Sequence, residues 1–282
     1  MTAAHAPLSA APAATDPDAH DIRHPLRWSV ADSWTVAWRN ITGMRRVPQV
    51  LVFSTIQPII FVLMFTYVFG KAIAPAAQYA AFPYVDFLMP GIFVQTIAFG
   101  SIQTGVGLAD DLGKGLIERF RSLPMARSAV LAGRTTADLV RNVFVLTLML
   151  VVGFLVGFRI HTNIACLLLA FLILLGFSFS LSWVFATVGL AVGNAEAAQA
   201  AAFPVMAPLV FASSAFVPLA AQPGWLQVFS AHQPVTITVN AVRSLVLGHG
   251  AMLVPALQAI AWSVAIIAVF APLAVSRYRK VT

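Results

Sequence analysis

Cysteine is nearly missing from this chain. Cys166 stands alone in an apolar run, so neither a disulfide framework nor a Zn cluster is available. Histidines are few and scattered (His5, His20, His24, His161, His232 and His249), and none falls in an HExxH pattern, so no metal site is expected from this chain alone. Charge is also scarce: 10% of the 282 residues are charged, where a soluble domain of this length carries about a quarter. The net charge of +7 does not point to nucleic acid, because the basic residues sit at the ends of apolar runs.

Catalytic constellations are lacking as well. Gly113-Lys114-Gly115 has neither the upstream Gly of a nucleotide-binding loop nor the Ser or Thr that would hold Mg²⁺. There is no Gly-x-Ser-x-Gly elbow, so the chain reads as a non-enzyme that binds no cofactor itself. Asp86, Asp110, Asp111, Asp138 and Glu196 are placed by the hydropathy pattern at span ends or in loops. An ion-driven transporter needs such a group near mid-membrane, so any energy for pumping is expected from another subunit.

What the chain has in abundance is apolar sequence, 60% of all residues, in runs long enough to cross a bilayer. Residues 1–26 are rich in Ala, Pro, Asp and His and read as a disordered cytoplasmic tail without the apolar region of a signal peptide. Residues 27–44 read as an amphipathic helix on the inner membrane surface, with Trp28, Ala31, Trp34, Thr35, Trp38 and Ile41 on one face. Six spans follow, at residues 50–69, 87–108, up to Phe158, 164–192, 197–216 and 253–275. The third begins with Arg134, Asp138 and Arg141, which share one helix face, can pair there, and are placed in cytosol or headgroups. Residues 225–247 contain His232, Gln233, Pro234, Asn240 and Arg243, too polar for a bilayer centre, and read as an outward helical hairpin before the last span. The expected fold is therefore all-α, a polytopic membrane protein with six transmembrane helices.

Orientation follows from the cations. With the N-terminus inside, fourteen Lys and Arg face the cytoplasm, against Lys71, Arg159 and Arg243 outside. That bias fits six spans with both termini cytoplasmic, and a seventh span would put Arg277, Arg279 and Lys280 on the wrong side. Two Gly-x-x-x-Gly pairs, Gly153/Gly157 and Gly189/Gly193, are expected to serve helix packing inside the chain.

The loop between the second and third spans, at about 109–127, alternates Leu116, Ile117, Phe120 and Leu123 with charges. A topology anchor has no need of that alternation, whereas a segment docking into a groove on a cytosolic partner does. Candidate coupling residues are Asp110, Asp111, Leu116, Glu118, Arg119, Phe120 and Arg121.

Four passages carry a family resemblance. They are Phe87-Leu88-Met89-Pro90-Gly91, and Glu118-Arg119-Phe120-Arg121-Ser122-Leu123-Pro124 with Gly133-Arg134. Then come Phe216-Val217-Pro218 with Pro223-Gly224-Trp225-Leu226, and Gln233-Pro234-Val235-Thr236 running on to Asn240-Ala241-Val242-Arg243. In this order and spacing the chain resembles the permease subunits of ABC-2 type transporters, specifically daunorubicin-resistance-like drug exporters of actinobacteria. The resemblance implies a bacterial plasma-membrane location and a second permease, identical or related. It also implies two cytosolic ABC ATPase subunits holding ATP and Mg, and a coupling helix in the loop after the second span. The cargo class it implies is a bulky hydrophobic drug, polyketide or lipid. A polysaccharide or glycolipid export permease and a non-transporting membrane sensor are the rival readings. With 21 Phe the spans can supply aromatic walls. Gln57, Phe61, Gln95, Phe99 and Gln103 are the candidate path residues, because i,i+4 spacing puts them in stripes on the first two spans. Interhelical hydrogen bonding is the competing role for these glutamines.

Overall fold

A computed structural model describes residues 48–70, 81–115 and 127–281, with side chains at 55–70, 81–115 and 134–278. The tail at 1–26 and the amphipathic segment at 27–44 lie outside the described residues. Every regular element among those described is helical. The order is α1 (Pro48–Leu63), a π-helical turn (Met64–Phe69), α2 (Tyr84–Gly113), α3 (Arg127–Val156), α4 (Ile164–Val192), α5 (Ala195–Phe211), a 3-10 turn (Leu219–Ala221), α6 (Gly224–His232), α7 (Pro234–Leu247) and α8 (Leu253–Val281). Among the described residues, four helices are long and apolar enough to cross a membrane: α2, α3 from Arg134, α4 and α8. The chain is a multi-pass membrane protein.

Local sequence sets the helix ends. Asn163 caps α4 by accepting the Cys166 amide at 2.9 Å, and Asn194 caps α5 by accepting the amides of Glu196 and Ala197 at 2.8 and 3.2 Å. Pro234 occupies the first turn of α7, where its missing N–H costs nothing. Gly248 ends that helix at φ 68°, a left-handed conformation that glycine adopts without Cβ strain. Residues 225–247 are thus split at Gln233 into two helices of 9 and 14 residues. At 1.5 Å per residue the longer reaches only ~20 Å, short of a bilayer's apolar core.

Helix α2 is the centre of the bundle. Of its most apolar stretch 89% is buried, against 17% for α8, so α2 is core while α8 presents Leu257, Ile260, Val264 and Val269 outward. α2 packs mainly along α4, and their closest crossing is glycine on glycine. A Cβ on Gly189 would fall 2.2 Å from the Gly105 carbonyl oxygen, and one on Gly105 would fall 2.3 Å from the Phe185 carbonyl oxygen. Backbones in such contact gain dispersion that a larger side chain would forbid. The Gly-x-x-x-Gly pairs divide their labour: Gly189 makes this crossing, while Gly193 terminates α4 at φ 69°. Likewise Gly153 faces Met89 of α2, and Gly157 lies beyond the end of α3 at φ 109°.

One face of the bundle is stitched by polar groups. The α3–α4 connection is pinned to the start of α2, with the Arg159 amide donating to Asp86 Oδ1 at 2.9 Å and His161 Nε2 lying 2.8 Å from Asp86 Oδ2. The same connection reaches α7 through His161 N–H to the Val246 carbonyl, 3.0 Å, and Thr162 Oγ1 to the Leu245 carbonyl, 2.7 Å. Arg243 of α7 is 1% exposed. Its Nε donates to the Phe87 carbonyl at 3.1 Å, its Nη2 to the Ser214 carbonyl at 2.8 Å, and its guanidinium lies 3.8 Å from the centre of the Phe87 ring. A cation can be buried there because its N–H groups meet carbonyl acceptors and one face meets the Phe87 ring.

Candidate functional site

Helices α1, α2 and α3 line a partly open cavity of about 120 Å³. From α1 come Gln57 and Pro58; α2 supplies Gln95, Thr96, Phe99, Gly100 and Gln103; α3 supplies Arg141, Asn142 and Val145. Four of the five path candidates, Gln57, Gln95, Phe99 and Gln103, thus face one space. The i,i+4 stripe of α2 produces this, since Gln95, Phe99 and Gln103 stand above one another on successive turns. Phe61 does not line the cavity. Its ring joins Phe65 and Phe216 at 5.9 Å each and Phe211 at 6.2 Å, while Phe65 stacks on Phe216 at 4.6 Å. An aromatic cluster therefore continues from the cavity along α1 into the π-helical turn.

The glutamines are not used to join helices. Among the described residues Gln57, Gln95 and Gln103 make no hydrogen bond to a neighbouring helix, and Gln95, 2% exposed, has an Oε1 without any partner. A buried amide oxygen left unpaired costs roughly 1–3 kcal/mol, so it needs a reason to be there.

Behind the cavity lies a polar seam that sequence placed elsewhere. Asp138 and Arg141 were expected in cytosol or headgroups; instead each is 7% exposed inside the bundle, level with the middle of the 30-residue α2. Arg141 Nη2 donates to the Gly100 carbonyl at 2.6 Å and lies 3.7 Å from Asp138 Oδ1, while Asp138 Oδ2 accepts the Thr104 hydroxyl at 2.5 Å. Asn142 Nδ2 donates to Ser178 Oγ at 2.5 Å, and Thr104 also reaches Ser182 at 3.2 Å. α3 runs unbroken from Arg127, so these charges enter the bundle with the helix, and α2 and α4 supply the partners that make their burial tolerable. Arg134 does not join Asp138; its Nη1 pairs with Asp111 Oδ2 at 2.8 Å.

Toward the loop end of α2, Lys114 and Asp110 form an exposed pair at 2.6 Å. The hydrogen bond that Lys114 donates to Asp110, and after it the carboxylate's charge, raises the Lys114 pKa. Such an exposed i,i+4 pair contributes little to stability. Of the other coupling candidates, Leu116, Glu118, Arg119, Phe120 and Arg121 lie outside the described residues.

The chain has known relatives. A family model described as "ABC-2 type transporter" matches residues 32–247, which takes in every helix from α1 to α7. The chain is 34% identical over 252 residues to the daunorubicin resistance ABC transporter permease protein DrrB1 of Streptomyces coeruleorubidus, covering 89% of this chain and 87% of the relative. It belongs to the ABC-2 type transporter family. A probable doxorubicin resistance ABC transporter permease protein DrrC of Mycobacterium tuberculosis is 27% identical over 259 residues, 92% of both chains. A putative transport permease of Cyanophora paradoxa, ycf38, is 26% identical over 221 residues, 77% of this chain and 74% of the relative.

In this ABC-2 chain the residues that sequence reading missed are Asn142 and Arg141 as cavity walls and Arg243 as a buried tie. A signal for the first two was present. Asp138, Arg141, Asn142 and Val145 follow one helical stripe, and Ser101 with Thr104 on α2 answers Ser178 with Ser182 on α4. No such pattern marks Arg243, whose acceptors lie 29 and 156 residues away in the chain.

Proposed function

We propose that this chain is the membrane permease of an ABC exporter, moving a bulky hydrophobic drug, polyketide or lipid out of the cytoplasm or inner leaflet. A separate ATPase subunit, holding ATP and Mg, drives it, and a second permease, identical or related, completes the membrane part. The observation that carries this reading is the cavity between α1, α2 and α3, with amide-bearing walls and the Phe61–Phe65–Phe216 cluster beyond. Two of its three walls, α2 and α3, are the helices joined by the charged loop, so a push on that loop acts directly on the cavity. Relatives whose names include daunorubicin and doxorubicin resistance support a drug as cargo. Six spans with both termini cytoplasmic remain the proposed topology. With Arg141 and Arg243 removed from the count as buried, thirteen Lys and Arg stand inside against two outside, so the charge bias persists.

The test is ATP-driven uptake of daunorubicin into inverted membrane vesicles carrying this chain with its cognate ATPase. Accumulation that requires both proteins and hydrolysable ATP is the expected result. Absence of nucleotide-dependent movement of any hydrophobic compound, with the complex assembled, would refute the reading in favour of a sensor or recruiter.

A further inference from the structure

The cavity's chemistry points to the part of the cargo it holds. We infer that it receives a single oxygen-bearing ring, hydroxylated or ketonic and neutral or acidic, and disfavours an ammonium group. The inference rests on the export reading above and adds to it the chemical class recognised.

Size limits the occupant first. An apolar cavity of about 150 Å³ is known to take one benzene ring, so about 120 Å³ holds one ring, and the partly open side leaves the rest of a fused system outside. Phe99, Pro58 and Val145 supply apolar surface for the ring's faces. Polarity then selects the ring's edge. Arg141 contributes a guanidinium to the wall, whereas the carboxylate nearest it, Asp138, is not part of the lining and is already bonded to Thr104. The end of the Arg141–Asp138 pair nearer a guest is therefore the positive one, and a second cation placed beside it is repelled more than it is attracted by the carboxylate behind. The amides of Gln57, Gln95 and Gln103 have no interhelical partner among the described residues, so their N–H groups can donate to carbonyl oxygens. Gln95 Oε1, buried and unpaired, accepts a hydroxyl proton. The amides offer donors and acceptors together, and a phenol, enol or quinone edge can meet either.

Reconstituted permease–ATPase complex in proteoliposomes provides the test. The probes are 1-hydroxypyrene and 1-(aminomethyl)pyrene, equal in skeleton and opposite in edge chemistry, read by concentration dependence of stimulated ATPase activity and by fluorescence uptake. We expect 1-hydroxypyrene to reach half-saturation at roughly tenfold lower concentration, the value of one well-made hydrogen bond. Gln95→Leu, close in volume, should remove most of that preference by weakening the hydroxyl probe alone. Gln103→Leu, at an exposed position, should reduce it partway, and it serves as the reporter if Gln95→Leu fails to assemble. Equal half-saturation for the two probes, or a preference unchanged in both variants, overturns the inference while leaving export intact. Failure of either probe and of daunorubicin to be moved by the assembled complex would instead sink the export reading itself.

Discussion

Arg243 tests how α7 is held against α2 and the chain after α5. Among the described residues its side chain is the largest fully buried one, and buried hydrogen bonds to the Phe87 and Ser214 carbonyls tie α7 to α2 and to the chain after α5. Replacing it with methionine keeps an unbranched apolar stem, shorter by the guanidinium that faces the Phe87 ring, and removes every donor. A hydrogen bond from a charged donor nets ~1.5–3 kcal/mol, so two lost at the low end cost roughly 3 kcal/mol. The third bond, to Asn240 at 3.3 Å, is long, and Asn240 also accepts from Ser214 Oγ at 3.0 Å, so it adds little. At roughly 2–4 °C of Tm per kcal/mol for a chain of this class of size, Arg243→Met should lower the midpoint by roughly 6–12 °C. The assay is thermal aggregation of the detergent-purified permease–ATPase complex followed by size exclusion. Arg243→Lys should fare no better, because a point-like ammonium cannot reach two acceptors on different elements and remains buried and underbonded. A Tm within about 2 °C of wild type for Arg243→Met would refute the account, since two buried charged hydrogen bonds cannot vanish at so small a cost.

Further expectations follow from the same contacts. Gly105→Leu should prevent the α2–α4 crossing, since even a Cβ there lies 2.3 Å from the Phe185 carbonyl oxygen; yield of folded, detergent-stable protein is the readout, and a normal yield contradicts the close packing. A Cys at Thr282 in a Cys166→Ser background should resist impermeant thiol reagents applied to intact cells, and rapid labelling would reverse the topology. In the loop after α2, Phe120→Ala should cut co-purification of the ATPase more than Lys114→Ala does, because a buried aromatic anchor contributes ~2 kcal/mol or more where an exposed charge contributes little. Equal co-purification of both variants would return that loop to the role of topology anchor.

Hydropathy and capping made much of this fold legible in advance. α4 could be read from a long apolar run between Asn163 and Gly193, and α7 from Pro234 and Gly248, because these signals are local. The cavity was half legible: Gln95, Phe99 and Gln103 share a stripe whatever they face. Burial of Asp138 and Arg141 was not, because a charge in one helix tells nothing of Thr104 and Gly100, 34 and 41 residues earlier. Phe61 stands beside the cavity and not on its wall for a related reason. Its i,i+4 relation to Gln57 sets a common helix face, but Phe216 from a distant segment draws the ring out of the cavity.

The seam beside the cavity also bears on where the energy for export enters. Asp138 has one oxygen on Thr104 and the other facing Arg141, so it serves as a structural counter-ion. Along the antiparallel pair α2 and α3, contacts recur from the loop end inward: Asp111 to Arg134, then Thr104 to Asp138, then the Gly100 carbonyl to Arg141. The last of these sits on the cavity wall. Helices tied at three levels resist sliding past each other, so on the export reading a displacement of their connecting loop travels as motion of the pair, not as local bending. The same partners that let α3 carry charge into an apolar bundle therefore join α2 and α3 into one lever, with the loop at one end and the cavity near its middle.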